Sequence, residues 1–396
     1  MNADVVIIGA GVIGASIAWH LTERGCSNVL LLEKAARQGL GSTGKATGGA
    51  RLQFGNAIDI AMSRFSLEFL ADFERATGVS SGYTPNGYLF VATDEDQMEM
   101  LRAARQTQID SGVGTTQILD RNEVAAMVPL IRTSDVVGGS FGPTDALIDP
   151  LAIMEGFTAA SLRKGARLQL NAQITAIDTE PDGGRRAISG VRTSEGRIQT
   201  RTVINAAGAW AAQIALMAGV DLPVVPLRRH LVRAGVRERM RPDLPMVIEA
   251  GNAFHFRRAA GTNDSQAGTE LLMGWPDPGE TPGFKTDFDP GYVDRILPHA
   301  RHRLPFLHRS ALDPASSRCG LYEMTPDHHA IIGPSPDVKG LFFANGFSGH
   351  GVMHSPATGR ILAELLVDGQ CSTFDIRSLR PERFAEGDWK IFGAVL

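Results

Sequence analysis

The sequence has few cysteines, few long apolar runs and no strong excess of charge of either sign. The three cysteines, Cys26, Cys319 and Cys371, show no metal-type spacing, and so few thiols suit a reducing compartment better than an export pathway. We therefore expect free thiols and a cytoplasmic protein. The formal net charge of −4 and the scattered basic residues exclude the basic footprint of a nucleic-acid-binding protein.

The longest apolar stretch, residues 5–19, lies where a signal sequence would lie. It is interrupted by glycines, no basic segment precedes it, and it is shorter than the roughly 20 residues that a spanning helix needs. We expect no membrane span. With 396 residues, of which 43% are hydrophobic, the chain is long enough for two globular domains.

A dinucleotide-binding pattern opens the chain. Residues 5–8 form a β-branched run typical of a strand buried in a parallel sheet, and residues 9–14 fit G-x-G-x-x-G. A helical pattern and a second apolar run, residues 29–32, lead to Glu33. The glycines let the backbone approach a pyrophosphate, the helix N-terminus offers N–H groups, and the acid binds ribose hydroxyls. NAD and FAD both use this pattern.

A second loop of small residues favours FAD over NAD. An NAD domain would continue with another strand and helix, whereas residues 39–51 form a hydroxyl-rich segment that can follow an extended cofactor. This loop ends in Arg51 and precedes a helix that we expect to reach about residue 77. A disordered surface loop is the alternative interpretation.

The remaining segments alternate between nucleotide-binding and sheet-forming patterns. Residues 221–318 contain many prolines and short alternating runs typical of an antiparallel sheet, with residues 261–268 as a hairpin tip. Residues 205–210 and 345–356 are glycine-containing loops that each follow an apolar strand, and the second should lead into a helix that begins near His354. This order predicts two domains that exchange the chain, with a ligand between them.

We therefore predict an α/β fold with two interleaved domains. The first is a Rossmann-type FAD-binding domain, residues 1–80, 148–220 and 319–396. The second is an α+β substrate domain, residues 81–147 and 221–318, built on a mainly antiparallel sheet.

Taken together, these motifs resemble the D-amino acid oxidase-like flavoproteins, in the branch of the sarcosine oxidases and of the FAD-bearing β subunits of L-proline dehydrogenase. The resemblance covers nearly the whole chain. It rests on the fingerprint with Glu33 and on residues 41–43, 51–54, 86–89, 205–210, 322–327 and 346–351.

The resemblance implies that the fingerprint holds FAD and that the substrate lies between the flavin and the sheet. The predicted cofactor-binding residues are Gly9, Gly11, Val12, Ile13, Gly14, Glu33, Lys34, Gly41, Ser42, Thr43, Thr47, Gly48, Gly49, Ile174, Ala207, Gly208, Trp210, Gly346, Gly349, His350, Gly351, Val352 and Met353.

Four residues are predicted to serve catalysis. In the family's oxidases an arginine at the place of Arg51 pairs with the substrate carboxylate, and a guanidinium can make this contact in a bidentate manner. A tyrosine at the place of Tyr322 lies nearby in those oxidases. His255 is near a substrate-facing position, with an ordinary sheet histidine as the alternative. His350 is either a general base or a flavin contact, and we prefer the contact, because backbone N–H groups there stabilise the negative charge of reduced flavin. No metal site is expected.

Three positions depart from the family's pattern. Met353 and Leu272 stand where sarcosine oxidases have lysines for the substrate carboxylate and for oxygen. Gly320 stands where they have the cysteine that bonds to the flavin, and Cys319 is displaced by one residue. We therefore expect non-covalent FAD and favour a dehydrogenase over an oxidase.

The resemblance implies FAD-dependent oxidation of the C–N bond of an amino acid, with hydride transfer to flavin N5. We expect a secondary amine as the small-molecule substrate, such as an N-methyl amino acid or a cyclic imino acid like proline. The electron acceptor would be a quinone, a dye or oxygen, and partner subunits are possible. Two alternatives stay open: a 2-hydroxy acid dehydrogenase, with His255 or His350 as base, and a non-catalytic flavoprotein assembly subunit.

Overall fold

The computed structural model describes residues 1–259 and 269–390. The twenty strands of these residues are, in chain order, β1 Val5–Ile8, β2 Val29–Leu32, β3 Gly49–Ala50, β4 Tyr88–Ala92, β5 Gln117–Asp120, β6 Gly138–Gly142, β7 Ala146–Leu147, β8 Arg167–Gln169, β9 Ile174–Asp182, β10 Arg185–Thr193, β11 Gly196–Ile198, β12 Val203–Asn205, β13 Val225–Val236, β14 Met246–Glu249, β15 His255–Arg258, β16 Thr269–Gly274, β17 Leu312–Met324, β18 Ile331–Pro334, β19 Val338–Lys339 and β20 Leu341–Asn345.

Ten α-helices connect or cover these strands. They are α1 Val12–Glu23, α2 Ala57–Ala71, α3 Phe73–Thr77, α4 Glu95–Asp110, α5 Arg121–Met127, α6 Pro150–Arg163, α7 Ala211–Met217, α8 Tyr292–Arg303, α9 Gly351–Val367 and α10 Arg383–Glu386. Among the residues that the structure describes, every helix is too short or too polar to cross a bilayer.

The first large sheet is a six-stranded Rossmann-type sheet in the order β18-β20-β12-β1-β2-β8. Its neighbours are parallel, except for the antiparallel pair β18 and β20. Strand β1 is buried throughout, because its alternate side chains enter two different cores. Ile7 packs in the core shared with α1, α6 and α9, and Val6 packs on the other face with residues of β9, β10 and α7.

The second large sheet has eight strands in the order β17-β13-β16-β15-β14-β4-β6-β5. Only β14 and β4 are parallel neighbours in it, so it is mainly antiparallel, as predicted. One face buries Val232, Phe256 and Met273 against Tyr292 and Ile296 of α8. Because side chains alternate along a strand, the neighbouring positions point to the opposite face, toward the first sheet.

Local sequence signals place several element ends correctly. Asp120 and Glu123 form a capping box at the start of α5. Strands β10 and β11 form a hairpin, β11 ends at Ile198, and Val203 begins β12 of the six-stranded sheet. The predicted hairpin tip at residues 261–268 lies outside the described residues.

Candidate active site

A cavity of about 880 Å³ lies between the carboxyl ends of β1, β2, β12 and β20 and the free face of the eight-stranded sheet. All the residues predicted to bind cofactor or substrate line it, except Gly14 and Gly346. Those two glycines serve close packing instead: a Cβ on Gly14 would lie 2.0 Å from the carbonyl oxygen of Gly9, and one on Gly346 would lie 2.3 Å from Thr325 Cγ2.

The fingerprint forms the first wall of this cavity. Gly9 has φ +103°, and a Cβ there would lie 2.3 Å from the carbonyl oxygen of Ala206, so no other residue fits. Helix α1 begins at Val12, three residues after Gly9, and its N-terminus faces the cavity. Glu33, at the end of β2, accepts the N–H of Ala35 at 3.0 Å, which fixes its carboxylate beside this helix end.

The second loop is hydrogen-bonded to the fingerprint on one side and to the eight-stranded sheet on the other. The Thr43 hydroxyl accepts the N–H of Val12 at 3.1 Å. From the eight-stranded sheet, Arg257 donates through Nε to the Thr47 carbonyl at 2.9 Å and Arg318 donates through Nη2 to the Ala46 carbonyl at 3.0 Å. The segment is therefore an ordered part of the cavity, which rules out the disordered surface loop considered from the sequence.

Tyr88 explains one further glycine of the second loop. A Cβ on Gly49 would lie 1.6 Å from the Tyr88 hydroxyl oxygen, so this strand and loop can meet only at a glycine. Burial raises the pKa of Tyr88 above its ordinary range, so its phenol is neutral at physiological pH.

The third loop runs from β20 into α9. The helix begins at Gly351, three residues earlier than predicted, with His350 as its N-cap residue. Gly349 has φ +106°, and a Cβ there would lie 2.5 Å from the Tyr322 ring. The early start brings the N–H groups of the first turn, and the positive end of the helix dipole, to the cavity wall formed by residues 349–353.

Glu323, on β17 of the eight-stranded sheet, holds this third loop. Its carboxyl group accepts the N–H of Gly346 at 3.0 Å, and its backbone carbonyl accepts the N–H of Ser348 at 3.1 Å. Burial raises the pKa of Glu323 to about 7. The loop geometry therefore depends on a side chain that is partly protonated at neutral pH.

Arg51 is a buried cation on the cavity wall, with a side chain that is 2% exposed. Its guanidinium stacks 4.3 Å from the centre of the Phe54 ring, and its Nη2 lies 3.2 Å from Nε2 of His350. Because a guanidinium only donates, His350 accepts through Nε2 and is neutral in this contact. The lone pair that a general base needs is thus already engaged by Arg51. Burial lowers the pKa of Arg51.

Tyr322 and His255 reach the cavity from the eight-stranded sheet. Burial raises the pKa of Tyr322, while the charges of Arg229 and Arg51 oppose this shift, and the Arg229 Cζ lies 5.8 Å from the centre of the Tyr322 ring. His255 donates from Nδ1 to the Ala253 carbonyl at 3.1 Å, and burial lowers its pKa. Its ring is therefore neutral, with Nε2 as an acceptor.

Sequence reasoning missed two arginines of this site. Arg229 lines the cavity and Arg318 holds the second loop. An alternating strand pattern was the available signal, but it does not reveal which of Arg228 and Arg229 faces inward. Conversely, Leu272 does not line the cavity, because it packs against Leu231. In the ranges 1–259 and 269–390, no cluster of three or more histidine, cysteine, aspartate or glutamate side chains has the geometry of a metal site.

The three loops together fit a bound dinucleotide. The fingerprint, the second loop and residues 349–353 all line the cavity, and two helix N-termini face it, that of α1 at the fingerprint and that of α9 at residues 349–353. Residues 4–365 match the model of the DAO family, described as FAD dependent oxidoreductase. The chain belongs to this family. Its cofactor is FAD, and it is an oxidoreductase.

Similar proteins include several amine and amino acid oxidoreductases. FAD-dependent oxidoreductase domain-containing protein 1 of Xenopus laevis is 30% identical, across 97% of this chain and 83% of that protein. Mitochondrial dimethylglycine dehydrogenase of Mus musculus is 27% identical across 98% of this chain, and the match spans only 44% of that longer protein. The crystal structure of L-proline dehydrogenase from P. horikoshii has a TM-score of 0.87 at 27% identity, covering 98% of this chain and 99% of the other.

Proposed function

We propose that this chain oxidises the C–N bond of an amino acid, with a secondary amine such as an N-methyl amino acid or a cyclic imino acid as substrate. The observation that carries the proposal is the burial of Arg51 at the cavity wall beside His350 and near Tyr322. A buried guanidinium is costly, and a bidentate carboxylate offsets that cost with charge and geometry at once. The relatives named for dimethylglycine and L-proline dehydrogenase activity support a substrate of this class.

The residues of the cavity would divide the work as follows. Arg51 orients the substrate through its carboxylate, so that the α-carbon takes one fixed position. The first turn of α9, with Gly351 at its start, stabilises negative charge that develops at the cofactor. The eight-stranded sheet, through Tyr322 and Met246, covers the site and excludes water.

FAD, when bound, supplies a hydride acceptor, so that the neutral amine is oxidised to an imine that water hydrolyses. No side-chain base is needed for a neutral amine, which agrees with the engagement of His350 by Arg51. His350 then serves to hold the guanidinium and the loop.

A second candidate reaction is oxidation of a 2-hydroxy acid. His255 favours it, because this neutral histidine lines the cavity and its Nε2 can accept a proton. We rank it second, since no described contact places His255 beside Arg51, which would hold the carboxylate of the same small substrate.

We also propose that the FAD is not covalently bound and that a dehydrogenase reaction is favoured over an oxidase reaction. Gly320 leaves no thiol on the cavity face of β17, and Cys319 donates from Sγ to the Thr286 carbonyl at 3.2 Å on the other face. Met353, an apolar residue, lines the cavity where the oxidases have a lysine.

The Arg51→Lys variant tests the carboxylate assignment. The variant keeps the positive charge and loses the bidentate pair of N–H donors. We therefore expect the binding of carboxylate substrates to weaken by about 1.5–3 kcal/mol, while the FAD content stays near that of the wild type. The readouts are substrate Kd from anaerobic titration and the flavin-to-protein ratio. Arg64→Lys, on the exposed side of α2, is the matched control. Unchanged substrate affinity in Arg51→Lys would remove Arg51 from the site.

A further inference from the structure

A second guanidinium faces the same cavity. Arg229 lies on β13 opposite Gly320 of β17 and lines the cavity, and the side chain of Lys45 packs over Gly320. Its Cζ lies 5.8 Å from the centre of the Tyr322 ring. Tyr322, Arg229 and Arg51 all line this cavity.

Arg228, the preceding residue of β13, differs from Arg229 because its charge is paired within the protein. Arg228 points to the opposite face, where Nε pairs with Glu280 Oε2 at 2.8 Å and Nη1 donates to the Asp287 carbonyl at 2.8 Å. Arg229 has no such ion pair with any carboxylate of the described residues, and its hydrogen bond is a long one of 3.4 Å to the Arg228 carbonyl. Protein groups thus neutralise Arg228 and leave Arg229 available to a ligand.

The substrate end of the cavity is consequently electropositive. Arg51, Arg229 and the two neutral histidines, His255 and His350, line it. The acid beside them, Glu323, is turned to the backbone N–H of Gly346 and does not pair with either arginine. Two guanidinium groups that line one cavity can bind two anionic groups of one ligand.

We propose that Arg229 binds a second carboxylate of the substrate, so that the preferred substrate is a dicarboxylic secondary amine held between Arg51 and Arg229. This inference rests on the proposed function, because it assumes that Arg51 binds the first carboxylate. The second carboxylate can belong either to the amino acid side chain or to the substituent on nitrogen. Both sources offer the same chemistry to Arg229.

Matched pairs of ligands distinguish these sources. N-methylglutamate and its side-chain amide, N-methylglutamine, differ only in the charge of the amino acid side chain. Iminodiacetate and its monoamide differ only in the charge of the substituent on nitrogen. The FAD-loaded protein is titrated with each ligand under anaerobic conditions, and the flavin spectrum reports binding and reduction separately. We expect the dicarboxylate of at least one pair to bind about tenfold or more tightly than its amide, as a charged hydrogen bond would give.

The Arg229→Gln variant should abolish this preference. We expect the ratio of the two Kd values to fall to near one, while the amide binds within about twofold of its wild-type affinity and FAD content is unchanged. Arg233→Gln is the matched control, since Arg233 lies on the same strand, pairs with Glu270 and is outside the cavity lining. It should keep the wild-type ratio.

Three results would overturn the inference: equal affinity for acid and amide in both pairs, an unchanged ratio in Arg229→Gln, or loss of FAD from that variant, which would make Arg229 a cofactor residue. Failure of the proposed function gives a different result. In that case the dicarboxylates bind with the expected preference, but neither they nor any other secondary amine reduces the flavin.

Discussion

Single glycines and arginines determine the shape and charge of this cavity. The fingerprint glycines could be predicted from the sequence, because positive φ and close backbone approach leave glycine as the only choice at positions such as Gly9. Arg229 could not be predicted, because its direction depends on the register of β13 with β17, which includes an irregularity between Leu231 and Arg233. Local patterns specify a strand and leave its tertiary register open.

The direction of Cys319 leads to a prediction about FAD. Its thiol contacts the Thr286 carbonyl on the face of β17 away from the cavity, and Gly320 occupies the inward position. We expect acid or heat denaturation to release all the FAD into the supernatant, as measured by its absorbance after removal of the protein. Yellow colour that remains with the denatured chain would contradict this, and a Cys319→Ser variant would then show whether that thiol holds it.

The buried acid Glu323 gives a prediction about pH. Its folded-state pKa of about 7 is raised above the ordinary value, so the folded protein holds this proton more tightly than the unfolded chain does. Its stabilising contribution is full below the unfolded pKa and is lost as pH rises through about 7. Glu323→Gln cannot ionise, and its carbonyl oxygen can still accept the N–H of Gly346.

We therefore expect the stability of Glu323→Gln relative to wild type to increase between pH 5 and pH 8, by on the order of 2 kcal/mol. Thermal unfolding across that range measures the difference in Tm. Glu195→Gln, at an exposed turn, is the control for removal of a charge. A difference in stability between Glu323→Gln and wild type that does not change with pH would contradict a raised pKa for Glu323.

At the scale of elements, the second loop depends on the sheet that faces it. Arg318 and Arg257 donate to the carbonyls of Ala46 and Thr47, and Arg257 also donates through Nη1 to the Arg258 carbonyl at 2.6 Å. A small-residue segment has no core of its own, so these bonds from β15 and β17 fix its course. The loop was predicted from its composition, but its anchors lie more than 200 positions away in the chain.

Loss of the hydrogen bonds from Arg257 to the second loop should weaken the binding of FAD. Arg257→Lys cannot donate to Thr47 and Arg258 with a planar fork, so we expect the Kd for FAD to rise by about tenfold, consistent with loss of a charged hydrogen bond. With saturating FAD, substrate binding should change little. Arg233→Lys, on the same face of the sheet, is the control. An unchanged Kd for FAD would show that the loop holds its course without Arg257.

The start of α9 shows why one element boundary was predicted wrongly. The sequence predicts a start near His354. In the structure the helix already contains Pro356 inside it, and the Ser355 hydroxyl donates to the Val352 carbonyl at 2.8 Å. This side-chain bond satisfies the carbonyl that the missing N–H of Pro356 would have bonded, so the helix can begin at Gly351.

At the scale of the whole molecule, two sheets from interleaved segments enclose one cavity. The alternation of nucleotide-binding and sheet-forming patterns predicted this α/β arrangement, which family membership and the match to L-proline dehydrogenase confirm. The exact domain limits and any partner subunits stay predictions. The cavity itself could not be predicted from local patterns, because it is formed by packing between segments as distant as Arg51, Arg229 and Gly351.

The electron acceptor depends on this enclosed site. Oxygen reduction passes through an anion that a nearby ammonium group would stabilise, and the residue that lines the cavity at position 353 is the apolar Met353. We expect turnover with a dye or quinone to exceed turnover with oxygen by at least about tenfold, which corresponds to ~1.4 kcal/mol in the barrier. Stopped-flow mixing of reduced protein with oxygenated buffer measures the rate at which oxygen reoxidises the flavin. Reoxidation as fast as substrate reduction would make the protein an oxidase.

The most direct test of the central claim is anaerobic reduction of the bound FAD by a panel of secondary amino acids, primary amino acids and 2-hydroxy acids, followed at the flavin absorption band. We predict rapid bleaching by at least one secondary amine that carries a carboxylate, with slow or no bleaching by the matching hydroxy acids. Bleaching by hydroxy acids alone would support the second candidate reaction, with His255 as its base. No bleaching by any member would contradict the enzymatic account and favour an assembly subunit.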